Sequence, residues 1–168
     1  ATFESSPMEG ASFDGAELSG TSLSGIDLST VTSLPKNLPG CAFEGCTLPR
    51  VDFCQGMLRG LRVSDSALSG SVFDRANLQL AGFSGLDLSG YSLKRADLRG
   101  MRIEGCTLTG ADLSGAYLIR AELLESKLER ASLREADLRG ARFLSCDLGE
   151  GDLSGARLGE TEFGETNL

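Results

Sequence analysis

The chain of 168 residues contains no histidine and no tryptophan. The absence of histidine excludes a histidine general base, a serine–histidine nucleophile pair and histidine metal ligands. No apolar run approaches the roughly 18 residues of a transmembrane helix, and no signal peptide pattern is present. We therefore expect a protein that is not an enzyme, needs no metal or cofactor and does not enter a membrane.

The charges and the cysteines indicate which partners and which cellular compartment to expect. The chain has 16 basic and 24 acidic side chains, a net charge of −8, which disfavours direct binding to nucleic acid. Four of its five cysteines occupy inward positions of the repeat described below, and the three that share a column, Cys46, Cys106 and Cys146, are too far apart to form disulfides. We expect free thiols in a reducing compartment, the cytoplasm.

A five-residue repeat organises the whole chain. A large apolar residue, here called the centre, stands at every number ending in 3 or 8. Of the 34 centres from Phe3 to Leu168, all but Ser33 are Leu, Phe, Ile, Val or Met. The side chain two positions earlier is small in 28 of 34 cases. A period of five fits neither a helix nor a simple strand.

Two inward residues in every five suit a flat side followed by a corner. Four such sides close a square coil of 20 residues, and the frequent glycine at the fifth position tolerates the positive φ of a tight corner. All eight Phe stand at numbers ending in 3, so two opposite faces carry them. The pattern predicts a rod of about eight coils joined as parallel strands are.

The units ADLRG, ADLSG and ANLQL resemble the pentapeptide-repeat family, whose consensus is A(D/N)LxX. The resemblance covers essentially the whole chain. It implies an all-β fold, a right-handed quadrilateral parallel β-helix, in a single domain over residues 1–168. The family's centre residue corresponds here to Leu98, Leu113 and Leu138, and its small inward residue to Ala96, Ala111 and Ala136.

One stretch, residues 29–50, departs from the repeat. Ser33 takes a centre, Lys36 takes an inward position, and three of the four prolines lie nearby. Because an unpaired buried Lys costs several kcal/mol, we predict an outward bulge over residues 33–37 with Leu34 turned inward. The bulge is either a tolerated surface feature or a binding loop.

A basic edge recurs every two coils. The segments LRGLRV at 58–63, LRGMRI at 98–103 and LRGARF at 138–143 place six arginines along it: Arg59, Arg62, Arg99, Arg102, Arg139 and Arg142. Two interpretations stay open. One is a surface ladder in which Arg102 and Arg142 alternate with Glu122 and Glu162. The other is a ridge that binds an acidic partner.

Apolar surface is expected in two further places. Ile119, Leu124 and Leu144 point outward and form a candidate contact patch. The last coil exposes unpaired strand edges and four centres, Leu153, Leu158, Phe163 and Leu168. The resemblance to the quinolone-resistance branch of the family, whose members dimerise through their C-terminal ends, implies a homodimer through this coil.

Two functions follow. The first is a rigid protein-interaction scaffold, either alone or as a module of a larger bacterial protein; the chain lacks an initiator Met and begins on a repeat boundary. The alternative comes from the resemblance to the quinolone-resistance branch: a DNA mimic that binds DNA gyrase or topoisomerase IV. A continuous acidic stripe along one face would favour the mimic over the scaffold.

Overall fold

A computed structural model describes residues 1–68 and 70–168. These residues form nine three-residue strands in a single parallel sheet, ordered as in the chain. The strands are β1 (Thr2–Glu4), β2 (Ser22–Ser24), β3 (Ala42–Glu44), β4 (Arg62–Ser64), β5 (Gly82–Ser84), β6 (Arg102–Glu104), β7 (Glu122–Leu124), β8 (Arg142–Leu144) and β9 (Glu162–Gly164). The described part of the chain holds no helix that would span a bilayer.

The coil has 20 residues and four sides, as the repeat predicts. Each strand pairs in parallel with the residues 20 further on, for example Ile103 with Leu123. Isolated bridges repeat this offset on the other sides, as between Asp97 and Tyr117. We number the sides by their centres: face 1 runs from Phe3 to Phe163, face 2 from Met8 to Leu168, face 3 from Phe13 to Leu153 and face 4 from Leu18 to Leu158.

The corners explain why the fifth position is so often glycine. Every described residue with a positive φ has a number divisible by five: 16 are Gly and 14 are not. At three of the four corners a turn is closed by a backbone hydrogen bond, such as Ala116 N to Leu113 O at 3.0 Å. The residue with the positive φ is the third of the four turn residues, as in a type II turn, and glycine adopts this conformation without strain. The remaining non-glycine corners therefore carry backbone strain.

The core is a dry column of apolar side chains along the axis. Centres in the middle coils, such as Leu98 and Leu113, are fully buried. Phe53 and Phe73 stack on face 3 with centroids 5.1 Å apart, and Phe73 meets Phe83 of face 1 edge-on at 6.0 Å. The two phenylalanine faces thus meet across the axis. All five cysteines are free thiols, and Cys54 alone is not fully buried.

The register shifts by one residue at the irregular stretch. Ser12 pairs with Ser33, an offset of 21 instead of 20. Leu34 packs against the core, while Lys36 is exposed. A methyl group at Gly56, in the next coil, would lie only 2.5 Å from the Lys36 carbonyl oxygen. Gly56 is the residue that lets the displaced backbone approach its neighbour.

Candidate protein interaction surface

The four faces differ in charge. We call outward the residue before each centre and the two residues after it. On face 1 these positions carry eight carboxylates and three arginines. Those of face 4 carry four carboxylates and five arginines, in a chain whose net charge is −8. Face 4 is thus the one side whose outward positions have more basic than acidic residues.

Face 4 also presents the most exposed apolar side chains of the middle coils. Among the described residues, Met57, Leu80 and Tyr117 project from it and are 50–60% exposed. Leu80 stands at a corner with φ +57°. Aromatic residues, Met and Arg are enriched in protein–protein interfaces, so this composition is typical of a contact surface.

Hydrogen bonds fix two of the predicted arginines on this face across three coils. Arg59 Nη1 donates to Gln79 Oε1 at 2.6 Å, and Gln79 Nε2 donates to Asp97 Oδ2 at 2.6 Å. Arg99 donates to both oxygens of Asp97, from Nε at 2.8 Å and Nη2 at 2.6 Å. Burial acts to raise the pKa of Asp97, but the hydrogen bonds from Arg99 and Gln79 lower it overall. The carboxylate is therefore the anion that orients Arg99 and Gln79.

A second carboxylate holds the next predicted arginine. Asp137 accepts from Arg139 Nε at 2.8 Å and Nη2 at 2.7 Å, and Arg157 lies 4.0 Å away. The hydrogen bond from Arg139 lowers the pKa of Asp137. Ile119, between Arg99 and Arg139 in the same column, is half-buried. Face 4 therefore presents oriented arginines on either side of an apolar residue.

The other predicted arginines belong to face 1, where charges alternate along the rod. Glu122 bridges Arg102 at 3.0 Å and Arg142 at 3.3 Å, and Arg142 continues to Glu162 at 3.0 Å. Arg62 forms no salt bridge with any described residue. The predicted edge is thus divided at its corner: an ion-pair ladder on face 1, and arginines beside apolar side chains on face 4.

The predicted apolar patch is divided in the same way. Leu124 and Leu144 are neighbours in β7 and β8 on face 1, whereas Ile119 lies on face 4. All three are half-buried. On the C-terminal coil, Leu168 is 66% exposed, while Phe163 is partly buried and stacks on Phe143 at 5.2 Å.

Met57, Leu80 and Tyr117 were not among the predicted site residues. The signal for them is in the sequence, because Met57 and Tyr117 share one outward column and Leu80 is an apolar residue at a corner. Tyr117 borders a shallow cleft of about 360 Å³ with Arg95, Gly115 and Arg157. Within the described residues, no group of three or more His, Cys, Asp or Glu is placed to hold a metal ion.

Comparison with known proteins gives one family match. The profile of the family described as pentapeptide repeats matches eight copies, over residues 1–31, 58–95, 92–128 and 117–155. A search of curated protein sequences finds no significant match.

Solved structures of repeat proteins are similar to this chain. Trypsin-treated QnrB1, a plasmid-mediated fluoroquinolone resistance protein, is 22% identical with a TM-score of 0.54, covering 86% of this chain and 80% of that one. A pentapeptide repeat protein from the Arabidopsis thaliana thylakoid lumen is 34% identical over 49% of this chain and 58% of its own, with a TM-score of 0.47. One from the cyanobacterium Cyanothece 51142 is 26% identical over 79% and 90%, with a TM-score of 0.46.

Proposed function

The chain belongs to the pentapeptide repeat family, and from this premise we propose that it is a rigid, non-enzymatic scaffold that binds an acidic protein partner through face 4. The observation that carries the proposal is the coincidence on one flat side of oriented arginines with exposed Met57, Leu80 and Tyr117. Central aromatic and arginine side chains supply most of the binding energy in protein interfaces. The five-residue repeat keeps them at fixed spacing along the rod.

The alternative, a DNA mimic that binds DNA gyrase or topoisomerase IV, requires a continuous acidic stripe. Face 1 has the most carboxylates, but Arg62, Arg102 and Arg142 interrupt it every second coil. Glu122 and Glu162 are engaged by Arg142 in ion pairs and are not free to imitate phosphates. The charge pattern therefore favours the scaffold.

We further propose that two copies associate through the C-terminal coil, in the cytoplasm. Leu158 and Leu168 leave 44% and 66% of their surface in contact with solvent. Residues beyond Leu148 lose the full burial that centres have in the middle coils. Stacking the coils of two copies would cover this apolar surface. The five free thiols suit a reducing compartment.

The scaffold proposal is tested by site-specific photocrosslinking in bacterial cells. A benzophenone amino acid replaces Met57 or Tyr117 on face 4, and Ser89, exposed on face 2, serves as the matched control. We expect a discrete protein adduct from the two face 4 positions and none from Ser89. The substitution Leu80→Glu should abolish the adduct, because it places a carboxylate in the centre of the contact.

Three results would count against this proposal. Equal adducts from Ser89 would show that the contacts are nonspecific, and nucleic acid in the adduct would identify the wrong class of partner. The third result is that the chain inhibits the supercoiling of DNA by purified gyrase and that Leu80→Glu does not change this inhibition. That result would favour the DNA mimic.

A further inference from the structure

Charged side chains stack along the rod with a consistent sign rule and one exception. Residues 20 apart are neighbours in adjacent coils, and eight such pairs are both charged. Seven of the eight pair opposite signs. The exception is Arg75 and Arg95, two arginines stacked at the corner between faces 3 and 4. Like charges in directly opposed positions of a sheet are destabilising.

Neither arginine of this pair is in an ion pair with a described residue. Their backbones are held one coil apart, with Arg75 N donating to Lys94 O at 2.8 Å and Arg95 N to Ser114 O at 3.0 Å. Neither guanidinium forms a salt bridge or a side-chain hydrogen bond with any described residue. Asp74 and Glu135 border the same cleft, but neither carboxylate comes within 4 Å of either guanidinium. Asp74 accepts hydrogen bonds from Ser92 Oγ and Lys94 N instead.

The pair opens onto a cleft of about 460 Å³ whose other charged residues are two basic ones, Lys94 and Arg134, and two acidic ones, Asp74 and Glu135. Lys94 and Arg134 line it together with Ser114 and Gly115. Lys94 is bound to Asp112 at 3.0 Å and Arg134 to Asp152 at 2.9 Å, both carboxylates of face 3. The gap at Gly115 gives room for Arg95, whose Cγ would lie 3.3 Å from a methyl group there. The two free guanidiniums are therefore the groups left to bind a ligand.

We propose that Arg75 and Arg95 form a binding site for a phosphoryl group carried by a phosphorylated segment of the protein partner. A guanidinium binds one oxyanion edge through two parallel hydrogen bonds, so two guanidiniums suit a group with two negative charges. A phosphate monoester carries close to two charges at neutral pH, whereas a carboxylate carries one. Two guanidiniums therefore match the charge of a phosphate monoester better than that of a single carboxylate.

The position of the cleft indicates the source of the phosphate. It is open and shallow, unlike the enclosed pockets that bind free small molecules. Arg95 and Gly115 also border the cleft of Tyr117, so the site adjoins face 4. The inference rests in this respect on the proposed function, in which a protein partner lies along that face.

The test is a nuclear magnetic resonance titration of the isotope-labelled chain. The probes are a short phosphoserine peptide, the same peptide without phosphate, and inorganic phosphate. We expect saturable shifts of the Arg75, Arg95 and Gly115 amides with the phosphopeptide, weaker binding of inorganic phosphate, and no saturable shifts with the unmodified peptide. Arg95→Gly should weaken phosphopeptide binding about tenfold, the loss of one charged hydrogen-bonding group.

The glycine substitutions separate binding from folding. Arg75 and Arg95 have φ values of +57° and +54°, so glycine replaces them without backbone strain. The matched control is Arg130→Gly, at φ +58° at the corner between faces 2 and 3, where the arginine pairs with Glu150 at 2.8 Å. It removes the same charge and should leave binding unchanged. Arg75→Gly combined with Arg95→Gly should remove saturable binding altogether.

Several outcomes would overturn the inference. They are no saturable shift with the phosphopeptide, an equal loss in Arg130→Gly, or equal affinity for the unmodified peptide. Inorganic phosphate binding as tightly as the phosphopeptide would overturn the assignment to a phosphorylated chain. If face 4 forms its crosslinks but the phosphopeptide does not bind, the phosphate site is refuted and the scaffold proposal stands. If the phosphopeptide binds but face 4 forms no crosslinks, the scaffold proposal is refuted and the phosphate site stands.

Discussion

Asp137 and Arg139, two residues apart on face 4, form a two-pronged ion pair at 2.7 and 2.8 Å. The carboxylate is 10% exposed and the guanidinium 53% exposed. The buried member is thus the anion, and the exposed member is the cation that a partner meets. Because both residues belong to one coil, Arg139 is oriented by a carboxylate of its own coil.

Acid should destabilise the rod through carboxylates of this kind. The pKa of Asp137 is lowered mainly by Arg139, and hydrogen bonds from Ser154 lower the pKa of Asp152 from 3.8 to about 2. A lowered pKa in the folded state gives stability that is present above the unfolded pKa and lost as pH falls through the folded one. We expect the melting temperature to fall steeply between about pH 4 and pH 2.

The control for this prediction is Arg139→Gln, which removes the main cause of the low pKa of Asp137. Its acid destabilisation should be shallower than that of the wild type. An identical pH profile in thermal melts followed by circular dichroism would contradict the assignment.

The burial of the core predicts that two leucines of one column contribute very differently to the free energy of unfolding. Leu98 is fully buried on face 4, and Leu158, three coils later, is 44% exposed. Leu98→Ala should cost about 2–5 kcal/mol of unfolding free energy, since it leaves a cavity in a close-packed stack. Leu158→Ala should cost clearly less, and urea denaturation measures both. Equal losses would mean that the last coil is covered in solution.

The fold was predictable because the five-residue repeat specifies burial, corner and coil length together. The centre at Leu98, the small residue at Ala96 and the corner at Gly100 each allow one local conformation, and the 20-residue register follows from four corners. The bulge over residues 33–37 was predicted because a serine at a centre and a lysine at an inward position conflict with an apolar core. The structure has a register shift of one residue at Ser33.

The candidate surface was less predictable because pointing outward is not the same as being exposed. Ile119 and Leu144 occupy outward positions, but both are half-buried. Leu80 is exposed at a corner with a positive φ, a conformation assigned in the repeat mainly to glycine. Which arginines bind the carboxylates of their own coil depends on side-chain rotamers, which spacing does not specify.

Corner strain gives a stability prediction with a built-in control. Arg120 and Gly140 follow each other in one corner column, at φ +56° and +67°. Arg120→Gly should leave stability unchanged or raise it by up to about 1 kcal/mol, because it relieves a left-handed conformation. Gly140→Ala should lower it by about 1 kcal/mol for the opposite reason. Thermal melts of both variants test this, and the same sign of change in both would refute it.

Thiol accessibility should separate Cys54 from the other four cysteines, which are buried. Burial raises the pKa of Cys106, and the hydrogen bond with Asp52 raises the pKa of Cys54. Native alkylation at mildly alkaline pH, followed by mass spectrometry, should modify Cys54 alone and slowly. Asp52→Asn should accelerate it, because the thiolate is then closer to its ordinary pKa. Labelling of Cys106 at a similar rate would show that the coils open.

The proposed association of two copies depends on the apolar surface of the C-terminal coil. Leu158 and Leu168 are its most exposed apolar residues, whereas Phe163 also supports the fold by stacking on Phe143. Leu168→Lys should therefore dissociate a dimer without unfolding the coil, since its side chain already faces solvent. The matched control is Met57→Lys, a similarly exposed residue far from this coil. Light scattering at high protein concentration should give a dimer for the wild type and the control and a monomer for Leu168→Lys. A monomeric wild type would refute the dimer, and a dimer that survives Leu168→Lys would place the contact elsewhere, with Leu124 and Leu144 on face 1 the next surface to test.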